Sequence, residues 1–246
     1  MSLSIDRQWV DHNRQEPSSF NKNVESYLKT TSGLSKVIQL IQKPLKLVNH
    51  LRAQAGQPAS EVGVRVEKDL STALSVMSLG RIRDVSANAK EAIAVIDDLD
   101  GMTVARKISR TVTALFDAFT TYCAFFTFVR PASSVGGLVR AVDLTSDLAT
   151  IPVDYSDWRQ AARLENQAQG EVKEAISLSR KYYMLSVAKD VVSIAGSVLG
   201  LAFLSVLSIP KLILLSLSGT VIAISKDFLK MGGKYPVISF DRGASL

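Results

Sequence analysis

The stretch VVSIAGSVLGLAFLSVLSIPKLILLSLSGTVIAI, Val191 to Ile224, decides the fold: thirty-four residues carry one charge, Lys211, directly after Pro210. Water-soluble domains seldom keep so long a segment free of charge. Read as two arms meeting at a turn of Ile209, Pro210 and Lys211, it predicts an apolar helical hairpin. The first arm, Val191 to Ile209, has about the length a membrane-spanning helix needs. The second, Leu212 to Ile224, is roughly 20 Å long, against a hydrocarbon core of about 30 Å. It spans only if the residues before Lys230 join it and Lys226 and Asp227 reach back to the interface. Within the hairpin, Gly196 and Gly200 form a G-x-x-x-G pair with Ser193 beside them, and Gly219 gives the second arm a similar small surface with Ser216, Ser218 and Ala223. Small residues at that spacing let helix backbones approach closely in lipid. Lys189 flanks one arm and Lys226, Lys230 and Lys234 the other, so a hairpin leaves this positive charge on one side of a membrane.

Outward from the hairpin the chain reads as all-α, a helical bundle closed by the C-terminal apolar pair. The expected organisation is a flexible polar leader (1–32), a helical domain (33–190), the membrane-type hairpin (191–229) and a short polar tail (230–246). The first twenty residues hold Asp6, Arg7, Asp11, Arg14 and Glu16 and no apolar run of the kind a cleavable signal carries. From Leu34 the pattern turns helical, with Val37, Ile38, Ile41, Leu45 and Val48 on one face and Pro44 expected to kink or split the helix. That stripe suits the core face of a bundle. Its alternative use is peripheral, with Lys36, Lys43, Lys46 and Arg52 contacting an anionic membrane. A second apolar stretch, Val112 to Val129, carries an aromatic stripe. A helix from Leu138 should stop at Pro152, with Ser156 or Asp157 capping the next, which runs toward Asp190. No strand alternation appears before Tyr235 to Phe240, and that segment is too solitary to found a sheet.

The chemistry-bearing residues exclude more than they suggest. Cys123 is the sole cysteine, so an intrachain disulfide and a four-cysteine zinc site are ruled out. Among Tyr122, Phe125 and Phe126 it reads as an inert core thiol. His12 and His50 are far apart and make no metal-ligand spacing. Asp97, Asp98, Asp100 and Gly101 imitate a calcium loop, but the register puts Ile96 and Lys107 at its first and twelfth positions. No nucleotide loop, dinucleotide fingerprint or nucleophile elbow is present, so the reading is non-enzymatic, with no cofactor and no metal. The formal charge is +6, but its lysines and arginines interleave with acids rather than forming a basic stripe, which argues against nucleic acid.

With its apolar hairpin and polar start, the chain resembles the inclusion membrane proteins of chlamydiae, which are recognised by a long bilobed hydrophobic hairpin, here Val191 to Phe228. The layout is that of the Cap type: helical repeats, a central aromatic segment (Phe116 to Phe128) and a late hairpin with a proline at its centre. The resemblance implies export by type III secretion through the polar leader, and residence in the membrane of a host-derived vacuole. A looser similarity is to the peroxin-eleven family, which would make Leu34 to Leu51 a membrane-active helix and the protein a membrane remodeller.

The expected function is therefore a membrane-anchored helical interaction protein. Its partners would be membrane lipid and an unidentified protein, with self-association into a homo-oligomer a further candidate. The alternative is a soluble, cytoplasmic helical bundle whose core is the apolar hairpin.

Overall fold

The computed structural model describes residues 3–16, 19–80, 133–202, 209–240 and 244–245, with 104, 106–109, 111–113, 115 and 119 between them. The acidic group at 97–101, the aromatic stripe around Cys123 and the central segment 116–128, save position 119, lie outside the described residues. Among the described residues the protein is all-α, ending in a C-terminal apolar helix pair, as its sequence predicts.

Seven helices are described: α1 (Arg7–Asn13), α2 (Phe20–Leu28), α3 (Thr31–Gln54), α4 (Glu61–Gly80), α5 (Ser133–Gln167), α6 (Gly170–Ala202) and α7 (Ile209–Gly232). Extended pairing among the described residues is a two-residue parallel ladder joining β1 (Leu3–Ser4) to β2 (Ala244–Ser245). The helix ends follow local chemistry. Asp6, Ser19 and Thr30 cap α1, α2 and α3, each accepting a backbone N–H three residues on. Helix α3 closes with Gly56 in the left-handed region at φ 70°, where Gly56 N–H donates to Ala53 and Gln57 N–H to Arg52. This reciprocal pair satisfies carbonyls the last turn would leave open. Gly170, at φ 57°, starts α6 after a link of two residues from the end of α5, which lets the two long helices fold back against each other.

The buried core sits at one end of the α5–α6 pair. Ala161 and Leu164 of α5, with Ala168 just beyond it, meet Ala175, Ile176 and Tyr183 of α6, and both chain ends fill the remaining space. Ile5 and Val10 are 1% and 0% exposed. The described residues of the segment 1–32 therefore do not make a loose leader: α1 and α2 form, and α2 docks on α7 through Phe20 and Tyr27, whose rings lie 5.9 and 5.1 Å from Phe228. The C-terminal segment is likewise no polar tail, since Tyr235, Ile238 and Phe240 are each 1% exposed. It is laid along α6, where Ile238 N–H donates to Ser179 Oγ at 2.9 Å and Tyr183 Oη donates to the Ile238 carbonyl at 3.0 Å. Burial of an aliphatic or aromatic side chain of this size is worth about 1.5–3 kcal/mol, which offsets part of the cost of about 1–2 kcal/mol for each residue ordered around it.

Prolines prove weaker punctuation than expected. Helix α3 continues through Pro44 and α5 through Pro152. In each, the carbonyl four residues earlier belongs to an exposed residue, Leu40 or Leu148, so water can take the bond that proline cannot make. Asp157 is not a cap but a buried partner of the Arg106 guanidinium, 3.1 Å from Nη1 through Oδ2 and in contact with Nη2 through Oδ1. Ile209, Pro210 and Lys211 are not the turn of the hairpin either. They form the first turn of α7, where a proline is tolerated because its missing N–H has no helical acceptor there. Residues 203–208, between α6 and α7, lie outside the described residues.

Candidate functional site

The apolar part of the molecule is formed by the second half of α6 and nearly all of α7. Both helices are long and apolar enough to cross a membrane, α6 through Gly170–Gly200 and α7 through Ile209–Gly232. At 24 residues, α7 is about 36 Å long, more than the short arm expected from the charge gap alone. Only 28% of the most apolar stretch of α6, and 6% of that of α7, is buried within the protein. Val191, Val198, Ile209, Leu214 and Val221 face outward, each at least 41% exposed.

The inner face of the pair is made of small residues at helical spacing. Ser193, Gly196 and Ser197 of α6 face Leu212, Ser216, Gly219 and Thr220 of α7 around a cavity of about 410 Å³, closed on its third side by Ser35, Lys36 and Gln39 of α3. Of the expected packing residues, Gly219 makes the close approach: a Cβ there would lie 3.6 Å from Val192 Cγ1. Gly200 is buried. Gly196 makes no close helix contact among the described residues, where a Cβ at its position would meet nothing within 4 Å. It opens onto the cavity.

The four basic residues of α3 are not assembled into a membrane-facing surface. Lys36 Nζ pairs with Asp227 Oδ2 at 2.6 Å, and Lys43 Nζ donates to the Ser216 carbonyl at 2.9 Å and to Thr220 Oγ1 at 2.5 Å. Both are turned inward because their stems lie along apolar α7 while its backbone and hydroxyl oxygens receive the ammonium groups. Burial, and then the neighbouring Lys46, push the Lys43 ammonium down to about 8. Lys46 and Arg52 are half-buried, and Arg52 Nε is enclosed without a partner among the described residues.

Sequence reasoning missed a charged cluster beneath the apolar arms, where α5, α6 and α7 meet. Lys189 Nζ lies 3.1 Å from Asp190 Oδ1 and 3.7 Å from Asp147 Oδ1, and Thr150 Oγ1 donates to Asp190 Oδ2 at 3.3 Å. Lys226 Nζ donates to Ser186 Oγ at 2.9 Å and stands 4.9 Å from the centre of the Tyr182 ring. Asp147 Oδ2 is buried with no hydrogen-bond partner among the described residues. Desolvation raises the Asp147 carboxyl, and desolvation, then repulsion from Asp190, raises Asp154 to about 6. The available signal was seven-residue spacing: Asp147 and Asp154 lie on one face of α5, two turns apart.

The arrangement can hold charge at the foot of an apolar hairpin and line a small, half-open amphiphilic cleft above it. No group of three His, Cys, Asp or Glu side chains among the described residues could hold a metal ion. A comparison with protein families, curated proteins and solved structures finds no match to this chain.

Proposed function

We propose that this chain is a non-enzymatic, membrane-anchored helical protein, with the second half of α6 and α7 as its lipid-embedded pair and the core of α1, α5, the first half of α6 and the C-terminal segment as the aqueous module offered to a protein partner. The observation that carries the reading is the exposure of α7: an apolar helix of spanning length with 6% of its most apolar stretch buried has no core to justify it. The chain ends support the same topology, since both lie at the base of α6 with the charged cluster between them and the arms. Similarity to the chlamydial inclusion membrane proteins supports placing that membrane at a host-derived vacuole, reached by secretion.

A second reading rests on α3. The Lys36–Asp227 pair and the Lys43 bonds hold an amphipathic helix against α7, and a lysine at mid-helix depth is expensive in hydrocarbon. That favours a soluble bundle in which α3 covers the hairpin. Leu214→Asp combined with Val221→Asp separates the two. Both positions are already exposed, so a soluble bundle accepts them with unchanged folding and better solubility. In a lipid-embedded α7 each adds about 2.5–3.5 kcal/mol against insertion near the bilayer centre. Loss of the double variant from the membrane fraction upholds anchoring; retention there, or a wild-type protein found only in the soluble fraction, overturns it.

A further inference from the structure

We propose that the cavity between α3, α6 and α7 is a binding site for a single-chain amphiphile with an anionic head, a long-chain fatty acid being the simplest member of the class. Its volume, about 410 Å³, falls within the range of small-molecule sites. The cavity is unfilled where the sequence could have filled it, because Gly196 leaves open space in a helix that would gain from almost any other residue. Ser197 lines the same cavity and is about nine-tenths buried, so its hydroxyl adds a polar group to the wall.

The lining is graded along its length. The register of Lys36 on Asp227 and of Lys43 on Ser216 and Thr220 sets α3 antiparallel to α7, and Lys226 on Ser186 sets α6 likewise. Lys36 and Lys189 therefore sit at the lower end, near Asp227, while Leu212 and Leu215 wall the upper end. Lys36 and Lys189 belong to the lining and no Asp or Glu does; their ammonium groups pair with Asp227, and with Asp190 and Asp147. From Ala223 to Leu212 the wall runs about 16 Å, which takes the greater part of a long acyl chain with its head at the lysines. The inference goes beyond membrane anchoring and does not need it, since the three helices form the site whether or not α7 lies in lipid.

The test is photolabelling of the full chain, reconstituted in phosphatidylcholine nanodiscs, by palmitate carrying a diazirine at its tail. Labelling should fall on the peptides holding Leu212 and Leu215, and be suppressed by unlabelled palmitate but not by hexadecanol. Gly196→Phe, which fills the cavity, should lower labelling about tenfold or more, whereas Gly196→Ala should retain most of it. Should Gly196→Phe lose helicity, Gly196→Leu replaces it, and Lys36→Gln with Asp227→Asn should erase the preference for palmitate over hexadecanol. If photoactivatable phosphatidic acid labels the same residues and palmitate does not displace it, the site stands and its occupant is a membrane phospholipid. Labelling that spreads over Leu214 and Val221 and ignores the Gly196 variants overturns the site. A folded protein that still associates with vesicles while showing that pattern overturns the site alone and leaves anchoring intact.

Discussion

Asp154 should make this protein more stable in mild acid than at neutral pH. Its carboxyl lies on α5 facing Ser186, Lys189 and Asp190 of α6, Lys226 of α7, and Asp147 and Asp157 of its own helix. Desolvation and the Asp190 charge raise it from 3.8 to about 6. The folded state thus binds the proton more tightly than the unfolded chain does. The resulting stabilisation is fully present below about pH 4 and is lost as pH rises through 6. At about 1.4 kcal/mol per pH unit, a shift of roughly two units amounts to about 3 kcal/mol. Asp147, raised in the same direction, adds to the trend. Asp154→Asn keeps the shape and removes the charge, so the variant should be more stable than wild type by up to about 3 kcal/mol at pH 7.5. The two should converge at pH 4. Urea unfolding followed by circular dichroism, at half-unit pH steps between 4 and 8, measures both curves. Parallel curves, or a variant less stable than wild type at pH 7.5, would refute the assignment of a buried, proton-hungry carboxyl.

Other substitutions test the packing. Ile5→Ala should cost about 2–5 kcal/mol by the same unfolding measurement, since this residue belongs to the core and not to a free leader. Tyr183→Phe removes the bond to the Ile238 carbonyl and should cost about 1 kcal/mol, accompanied by faster proteolysis after residue 234. Gly170→Ala must place a Cβ at φ 57°, which costs about 1–2 kcal/mol and should lower the thermal midpoint. Changing Lys36 to Gln should leave binding to anionic vesicles unaltered in a sedimentation assay, because its ammonium is held by Asp227 and turned away from solvent lipid.

The apolar pair was legible because a run of thirty-four residues with one charge has few structural outcomes. Helix α3 was legible from its repeating face. The chain ends were not: Ile5, Trp9 and Val10 are three apolar side chains among five charges, and Tyr235, Val237, Ile238 and Phe240 form a run too short and solitary to place. Their burial is decided by the space left between α5 and α6, a tertiary quantity. Prolines misled because the cost of breaking one backbone bond depends on whether water reaches the freed carbonyl, which sequence does not record. The cavity was half-legible. Its small residues were seen and read as contact surface, yet only the register of α3 on α7, set by Lys36 and Asp227 at 191 positions apart, reveals that Gly196 faces space. The cluster of Asp147, Asp154, Asp190 and Lys226 draws on three helices, and each charge alone reads as an ordinary solvated flank.

Alkaline carbonate extraction of membranes from cells expressing the full chain tests the anchor most directly. Lipid embedding of α6 and α7 predicts that the protein stays in the pellet after carbonate and leaves it only with detergent. Complete release into the carbonate supernatant would contradict embedding and make the α3-covered soluble bundle the structure's resting form.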